Sequence, residues 1–278
     1  MLDLVKLELL KIFSKWRTYI GFIAVGVLVP LIHAAMYIEG DTYINFITNS
    51  LEDIFEFNGD LLNGYVVARI ILQTLYVNVP LLITLVAGDL LAGEATSGTY
   101  RLLLVRPASR AQIASAKYIA GLVYVFLLVA WLALLTLGIG LLIHGTGDML
   151  VVATKITIIP EVDVPWRFAW AFLMAFIAMW TVYSITFMFS AIVENAIGPI
   201  FSTMAIIIVF SIIGILGIGF LQDIAPYLFT THMIAWRLLF DLNVDMGMLA
   251  ESVVVLMAHT LVITIATIFY FTKKDINS

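Results

Sequence analysis

The chain has 278 residues, 63% of them hydrophobic and only 12% charged, with a mean hydropathy of +1.08. Soluble domains carry about 25% charged residues, so this composition excludes a soluble enzyme and predicts an integral membrane protein. The formal charge of −5 is uninformative as a total because a membrane sorts charges by side, and the absence of cysteine excludes disulfides, iron–sulfur clusters and thiol catalysis.

Residues 1–16 read as an amphipathic helix. Leu2, Val5, Leu9, Ile12, Phe13 and Trp16 recur at helical spacing, while Asp3, Lys6, Glu8, Lys11 and Lys15 take the remaining positions. Such a helix lies in the membrane interface, either as an anchor that steers insertion or as a docking surface, and the two roles are compatible. Residues 17–278 then form one all-α transmembrane domain. A spanning helix needs about 20 mostly apolar residues, and that ruler places six spans near 18–38, 66–88, 117–143, 168–193, 196–221 and 249–272. The first is too long for a signal-peptide core of about 7–15 residues and no A-x-A site follows, so it is expected to be retained.

The second span contains Arg69, Gln73, Asn78 and Pro80. A polar connection follows at 89–116, reading as a short amphipathic helix ended by Pro107, with Ser109 placed to cap the next helix. In the fourth span Ala171, Ala175 and Ala178 share a face and allow close helix approach, within the chain or at a dimer seam. Only Glu194 and Asn195 separate the fourth and fifth spans, which predicts a tight antiparallel turn. Gly214, Gly217 and Gly219 loosen the end of the fifth, and 222–240 is a semi-polar amphipathic run whose aromatic residues suit an interfacial belt.

Orientation follows from the basic residues, which are retained on the cytoplasmic side. With six spans, ten of the 14 Lys and Arg residues fall on the side of the termini: Lys6, Lys11, Lys15, Arg17, Arg101, Arg106, Arg110, Lys117, Lys273 and Lys274. The expected topology has both termini in the cytoplasm and an acidic loop at 39–60 outside.

Polar residues within spans are functional candidates because a charge at mid-bilayer costs about 2.5–3.5 kcal/mol. They are His33, Arg69, Asn78, Asp89, Glu251 and His259. Arg69, Asp89 and Glu251 lie near helix ends, where snorkelling or capping accounts for them. Asn78 and His259 remain as pathway candidates, with interhelical hydrogen bonding as the alternative. No histidine pair has i,i+4 spacing and no carboxylate set accompanies them, so no metal centre is expected. The serines of the apolar spans, such as Ser184, Ser190, Ser202 and Ser211, lack an activating context. A P-loop needs G-x-x-x-x-G-K-[ST], and no Gly-Lys dipeptide occurs in the chain.

The central connection carries Glu94, Gly98, Thr99, Leu103, Leu104, Pro107, Ser109, Arg110 and then Lys117. In that order it resembles the E-x-x-x-G-T-x-x-x-L-L-x-x-P-x-S-R region of permease subunits of ABC-2 type exporters. The opening Lys6-Leu-Glu8-Leu-Leu-Lys11, the closing Phe271-Thr-Lys-Lys-Asp275-Ile276 and the six-span plan extend the resemblance over nearly the whole chain. It implies the ABC-2 permease fold and a non-enzymatic subunit that exports by alternating access. ATPase coupling would pass through Glu94, Gly98, Thr99, Arg101, Arg106, Pro107, Ser109 and Arg110, with N-terminal docking at Lys6, Glu8 and Lys11. It further implies two partner ATPase subunits that hold ATP and Mg, a second permease copy, identical or related, no cofactor on this chain, no nucleic-acid partner, and re-entrant helices at 222–240 on the outer side of the cell membrane. The apolar, aromatic-rich spans favour a hydrophobic or amphipathic cargo. A secondary transporter without an ATPase, or an intramembrane hydrolase, are the alternatives; the first is favoured by an internal repeat, and none is evident.

Overall fold

The computed structural model describes residues 1–48, 61–96, 108–152, 156–216 and 218–274. Leu2–Ser14 forms α1 and Trp16–Thr48 forms α2, separated by Lys15 in an extended conformation. The elbow is closed by the Thr18 hydroxyl, which donates to the Ile12 carbonyl, and by Thr18 N, which donates to the Lys15 carbonyl at 3.1 Å. With 33 residues, α2 is about 50 Å long at 1.5 Å per residue, well beyond the hydrocarbon thickness of about 30 Å. It therefore overshoots the expected span, and Glu39 and Asp41 stand on exposed helix rather than in a loop. The remainder of the expected acidic loop, 49–60, lies outside the described residues. The buried positions Val25, Val29, His33, Met36, Gly40 and Ile44 recur every three or four residues and form one inward stripe.

The expected second span is broken into α3 (Gly64–Leu75) and α4 (Asn78–Ala87), which meet at 55°. Pro80 supplies a cause. It lacks an N–H, and its ring clashes with the carbonyl four residues back, at Tyr76, but both defects are tolerated in the first turn of a new helix. Asn63 caps α3, its Oδ1 accepting from Tyr65 N at 3.1 Å and Val66 N at 3.2 Å. After Gly88 the chain continues as α5 (Asp89–Thr96). Arg110–His144 forms α6, which opens with the expected Ser109 cap: Ser109 Oγ accepts from Gln112 N at 3.2 Å and Gln112 Oε1 accepts from Ser109 N at 3.0 Å. The helix begins two turns ahead of the expected span.

The all-α expectation misses one hairpin, in which β1 (Met149–Val152) runs antiparallel to β2 (Ile156–Ile159) with Met149 opposite Ile159. Its valines, isoleucines and Thr157 are the β-branched residues that suit strands. Then follow α7 (Val164–Ile192), α8 (Ile197–Leu216), the short α9 (Phe220–Ile224) and α10 (Phe229–Met233), and α11 (Met246–Lys273). Span five ends at Leu216 rather than 221; Gly219 starts α9 with φ +55°, a conformation glycine adopts without penalty.

Among the described residues, five helices are long and apolar enough to cross a membrane: α2, α6, α7 with its preceding turn, α8 and α11; α3 and α4 pass the same test as a bent pair. The protein is a multi-pass helical membrane protein. Its centre is α7, with 67% of its most apolar stretch buried against 28% or less for the other four. Ala171, Ala175 and Ala178 are buried within the chain, which accounts for their shared face without a dimer seam. At mid-helix Thr181 Oγ1 meets Thr260 Oγ1 of α11 at 3.0 Å.

At the end of α7 remote from the chain termini, Arg167 Nη1 donates to the carbonyls of Leu239 at 2.8 Å and Asp241 at 2.6 Å. Phe168 packs edge-on against Phe240 at 4.9 Å between ring centroids. Trp236, Phe229 and Phe240 are all buried, so 222–240 folds over α7 with most of its aromatic surface inside. An interfacial belt describes only its exposed Tyr227.

At Gly64 and Gly140 the backbones of α3 and α6 approach closely. A Cβ on Gly64 would lie 2.5 Å from the Gly140 carbonyl oxygen and 2.8 Å from that of Gly145, both backbone atoms that cannot swing away. Gly64→Ala is expected to cost about 1–3 kcal/mol and to lower the thermal unfolding temperature in detergent. Gly138→Ala, whose Cβ meets nothing within 4 Å, should not lower it.

Candidate functional site

Lys117 lies two turns inside α6 among Ala114, Ala116 and Ala120, and is 2% exposed. An ammonium in such surroundings needs charged partners, since isolated burial of a charge is prohibitively costly. Two carboxylates meet it. Lys117 Nζ lies 2.6 Å from Glu94 Oε1 of α5 and 2.8 Å from Glu8 Oε2 of α1. Lys11 completes the set, its Nζ 2.7 Å from Glu8 Oε1 and 3.1 Å from Glu94 Oε1. The result is a quartet of two ammonium groups and two carboxylates that joins α1, α5 and α6. A cavity of about 30 Å³ beside it has room for a water molecule.

Burial pushes the Glu8 carboxyl upward, but the Lys117 ammonium and then Lys11 outweigh it and hold the group below the ordinary glutamate value. Burial likewise disfavours the charged Lys11, yet the bond to Glu8 and the nearby Glu94 hold it above the ordinary lysine value. A second cluster lies alongside: Asp89 Oδ2 is 2.6 Å from Lys15 Nζ and Asp89 Oδ1 is 3.1 Å from Arg17 Nη1. Asp89 is thus an ion-pair partner of the elbow between α1 and α2, rather than the snorkelling or capping residue its position in the sequence implies.

The central helix anchors α5 from the other side. Ser190 Oγ of α7 accepts from Leu91 N at 3.1 Å and Ala92 N at 3.0 Å, and donates to the Gly88 carbonyl at 2.8 Å. These are first-turn N–H groups that a helix leaves without intrahelical partners. The chain's last described residue closes the same end. Lys274 Nζ donates to the Ala191 carbonyl at 2.9 Å, a cation at the negative end of α7, and Arg110 Nη1 donates to the Lys274 carbonyl at 2.7 Å. Next to the clusters a groove of about 660 Å³ opens between Lys15, Trp16, Arg17, Asp89, Thr96 and Asn195.

Of the residues singled out in the sequence, Glu94, Glu8, Lys11, Ser109 and Arg110 come together at this basic end. Glu8 lies on the buried face of α1, not on its polar surface. Lys6 is exposed and makes no ion pair among the described residues. Gly98, Thr99, Arg101, Arg106 and Pro107 lie outside the described residues, as do Asp275 and Ile276. Asn78 and His259 are not brought together. Asn78 Nδ2 donates to the Thr74 carbonyl at 3.2 Å across the α3–α4 break. His259 Nδ1 donates to the Val255 carbonyl at 2.9 Å, and its ring lies 6.1 Å from that of Phe229. Both bonds stay within the local backbone.

The pairing of Glu8 with Lys117 spans 109 positions and escapes inspection of local pattern. Its signal in the sequence is Lys117 itself, an ammonium amid alanines two turns into an apolar helix, which requires carboxylates from elsewhere. Both carboxylate oxygens of Glu8 are engaged by ammonium groups, Oε1 by Lys11 and Oε2 by Lys117, so the arrangement fastens α1 to α6.

Removing one member of a buried ion pair costs about 3–5 kcal/mol. Lys117→Met is therefore expected to lower thermal stability in detergent and to accelerate amide exchange in residues 2–14, with Glu8→Gln in the same chain restoring part of the loss. Acid should act in the same place. A carboxyl held below its unfolded pKa contributes stability above that pKa and loses it as pH falls through the folded value, so α1 should stay protected near neutrality and loosen below the ordinary glutamate range. The raised pKa of Lys11 contributes below the unfolded lysine value and is lost as pH rises through the folded one, at strongly alkaline pH. Protection of α1 that survives protonation of the carboxylates would sink the ion-pair account.

No curated protein matches the sequence. A family profile, described as a protein of unknown function (DUF2705), matches residues 22–277, from the first turns of α2 to beyond the end of α11. Since the match covers almost the whole chain, including α4–α7 and their ion-paired residues Asp89, Glu94 and Lys117, the protein belongs to the DUF2705 family.

Proposed function

We propose that the chain is the permease subunit of an ATP-driven exporter of the ABC-2 type, embedded in the cell membrane with both termini in the cytoplasm. The observation that carries this reading is the fastening of two non-spanning helices, α1 and α5, to the span α6 by the Glu8–Lys11–Glu94–Lys117 quartet at the basic end. A subunit driven from outside the membrane needs such a part: a rigid surface on which a partner can push, connected to helices that line the pathway. The bent α3–α4 pair counts as the sixth span, and the positive-inside rule puts the basic end in the cytoplasm. ATP and Mg belong to two partner ATPase subunits, and a second permease copy completes the pathway. The exposed face of α1, with Lys6, Leu7 and Leu10, and the adjoining groove at Trp16 provide the docking surface.

Expression of the chain together with its neighbouring reading frames, followed by purification in detergent and an ATPase assay, tests this. The expected outcome is a co-purifying P-loop ATPase whose amount falls at least several-fold with Lys6→Glu plus Leu10→Asp, while the permease keeps its melting temperature. If the chain purifies without an ATPase and the α1 variant leaves its function intact, the coupling role fails and a secondary transporter becomes the better account.

A further inference from the structure

The residue after Lys117 is held as firmly on another side of α6. Tyr118 Oη accepts from Trp180 Nε1 of α7 at 2.7 Å and from Thr264 Oγ1 of α11 at 2.8 Å, and meets Ser184 Oγ of α7 at 2.7 Å. The direction of the last bond follows from the others. The Ser184 hydrogen is committed to the Trp180 carbonyl at 2.9 Å, so Tyr118 donates and Ser184 accepts. One donor and two acceptor sites are all a phenol has, and all three are used. The Tyr118 carbonyl accepts from Tyr183 Oη at 2.9 Å. One turn on, a Cβ at Gly121 would lie 2.7 Å from Leu90 of α5 and 2.8 Å from the Tyr183 ring, so α5, α6 and α7 are in close contact there.

From these contacts we infer that Tyr118 is the positioning residue that makes α7 and α11 follow α6, so that Lys117 and Tyr118 together convert displacement of α1 and α5 into movement of the three spans. Lys117 receives the displacement through the two carboxylates. Tyr118, about 100° further round the helix, passes it on through three hydrogen bonds in apolar surroundings, where a broken bond leaves a buried polar group unpaired. Linked helices of this kind shift as units, by about 1–2 Å. The inference deepens the exporter reading and rests on it for its purpose, but not for its test.

The test uses the purified chain in lipid nanodiscs without any partner. Because the sequence contains no cysteine, spin labels can be placed by single substitutions at exposed Val27 of α2 and Val262 of α11, and in a second pair at Val27 and Leu173 of α7. Lys117→Met leaves Glu8 and Glu94 facing each other with only Lys11 between them, and is expected to shift both distance distributions by roughly 1–2 Å. Adding Tyr118→Phe should diminish both shifts, with only the bond from Tyr183 to the backbone carbonyl left between α6 and α7 there. Adding Thr264→Val, a milder change that removes only the Tyr118–α11 bond, should reduce the Val27–Val262 shift, since Thr181 still joins α11 to α7, and leave the Val27–Leu173 shift in place. Tyr118 as simple packing support would lower stability in each background and leave the Lys117→Met shifts undiminished, which overturns the inference. An absence of any shift with Lys117→Met alone overturns it equally. Failure of an ATPase to co-purify would count against the exporter reading and leave these distances untouched.

Discussion

An ammonium group at 2% exposure must be met by carboxylates, and at Lys117 they come from Glu8 and Glu94, 109 and 23 positions away. Much of the basic end is organised around that requirement. An amphipathic helix held only by its apolar stripe could slide along the bundle or lift into the interface, because apolar contact is non-directional. Two charge-assisted bonds that leave the helix, Glu8 to Lys117 of α6 and Lys11 to Glu94 of α5, determine its register. The short α5 is held from two sides, by Glu94 toward α6 and by the Ser190 hydroxyl toward α7, so a helix of eight residues, too short to be stable by itself, is part of a rigid assembly.

The same economy of polar contacts operates inside the bundle. In hydrocarbon, apolar surface gives helices little reason to associate, and close approach and hydrogen bonds take over. The central helix α7 accordingly carries Thr181, Ser184 and Ser190, each buried and each bonded to another helix. Small residues let the backbones meet where those bonds occur, at Ala171, Ala175 and Ala178 of α7, at Gly121 of α6 and at the Gly64–Gly140 crossing. By contrast α8 buries only Pro199 and Thr203, and its surface is left for lipid or another chain.

Two kinds of expectation about the site fared differently. Ser109 is a cap because capping is a local matter between residues three apart, and its signature is visible in order. Glu8 and Asp89 read as a surface residue and a snorkelling residue, yet both are ion-pair partners. A helical wheel sees polarity but not the partner, and Glu8 lies on the face that Val5, Leu9 and Ile12 turn inward. The pathway candidates Asn78 and His259 each bond a carbonyl of their own chain segment, which explains how polar groups are accommodated there.

Composition and apolar run lengths were enough to establish that this is a helical, multi-pass membrane protein, because the thickness of hydrocarbon imposes a minimum length that no other fold class shares. Local pattern also located the Ser109 cap and the joint at Glu194–Asn195, since helix starts and ends depend on residues within one turn of each other. Tertiary structure alone decided that the second span bends by 55°, that α2 overshoots its span, that Trp236 lies inside the fold, and that Glu8, Glu94 and Lys117 form one cluster. The reason is the range of the forces involved. Backbone hydrogen bonding and capping are settled between neighbours in sequence, whereas the partner of a buried charge is whichever opposite charge the folded chain brings within about 3 Å, and nothing local to either residue encodes that meeting.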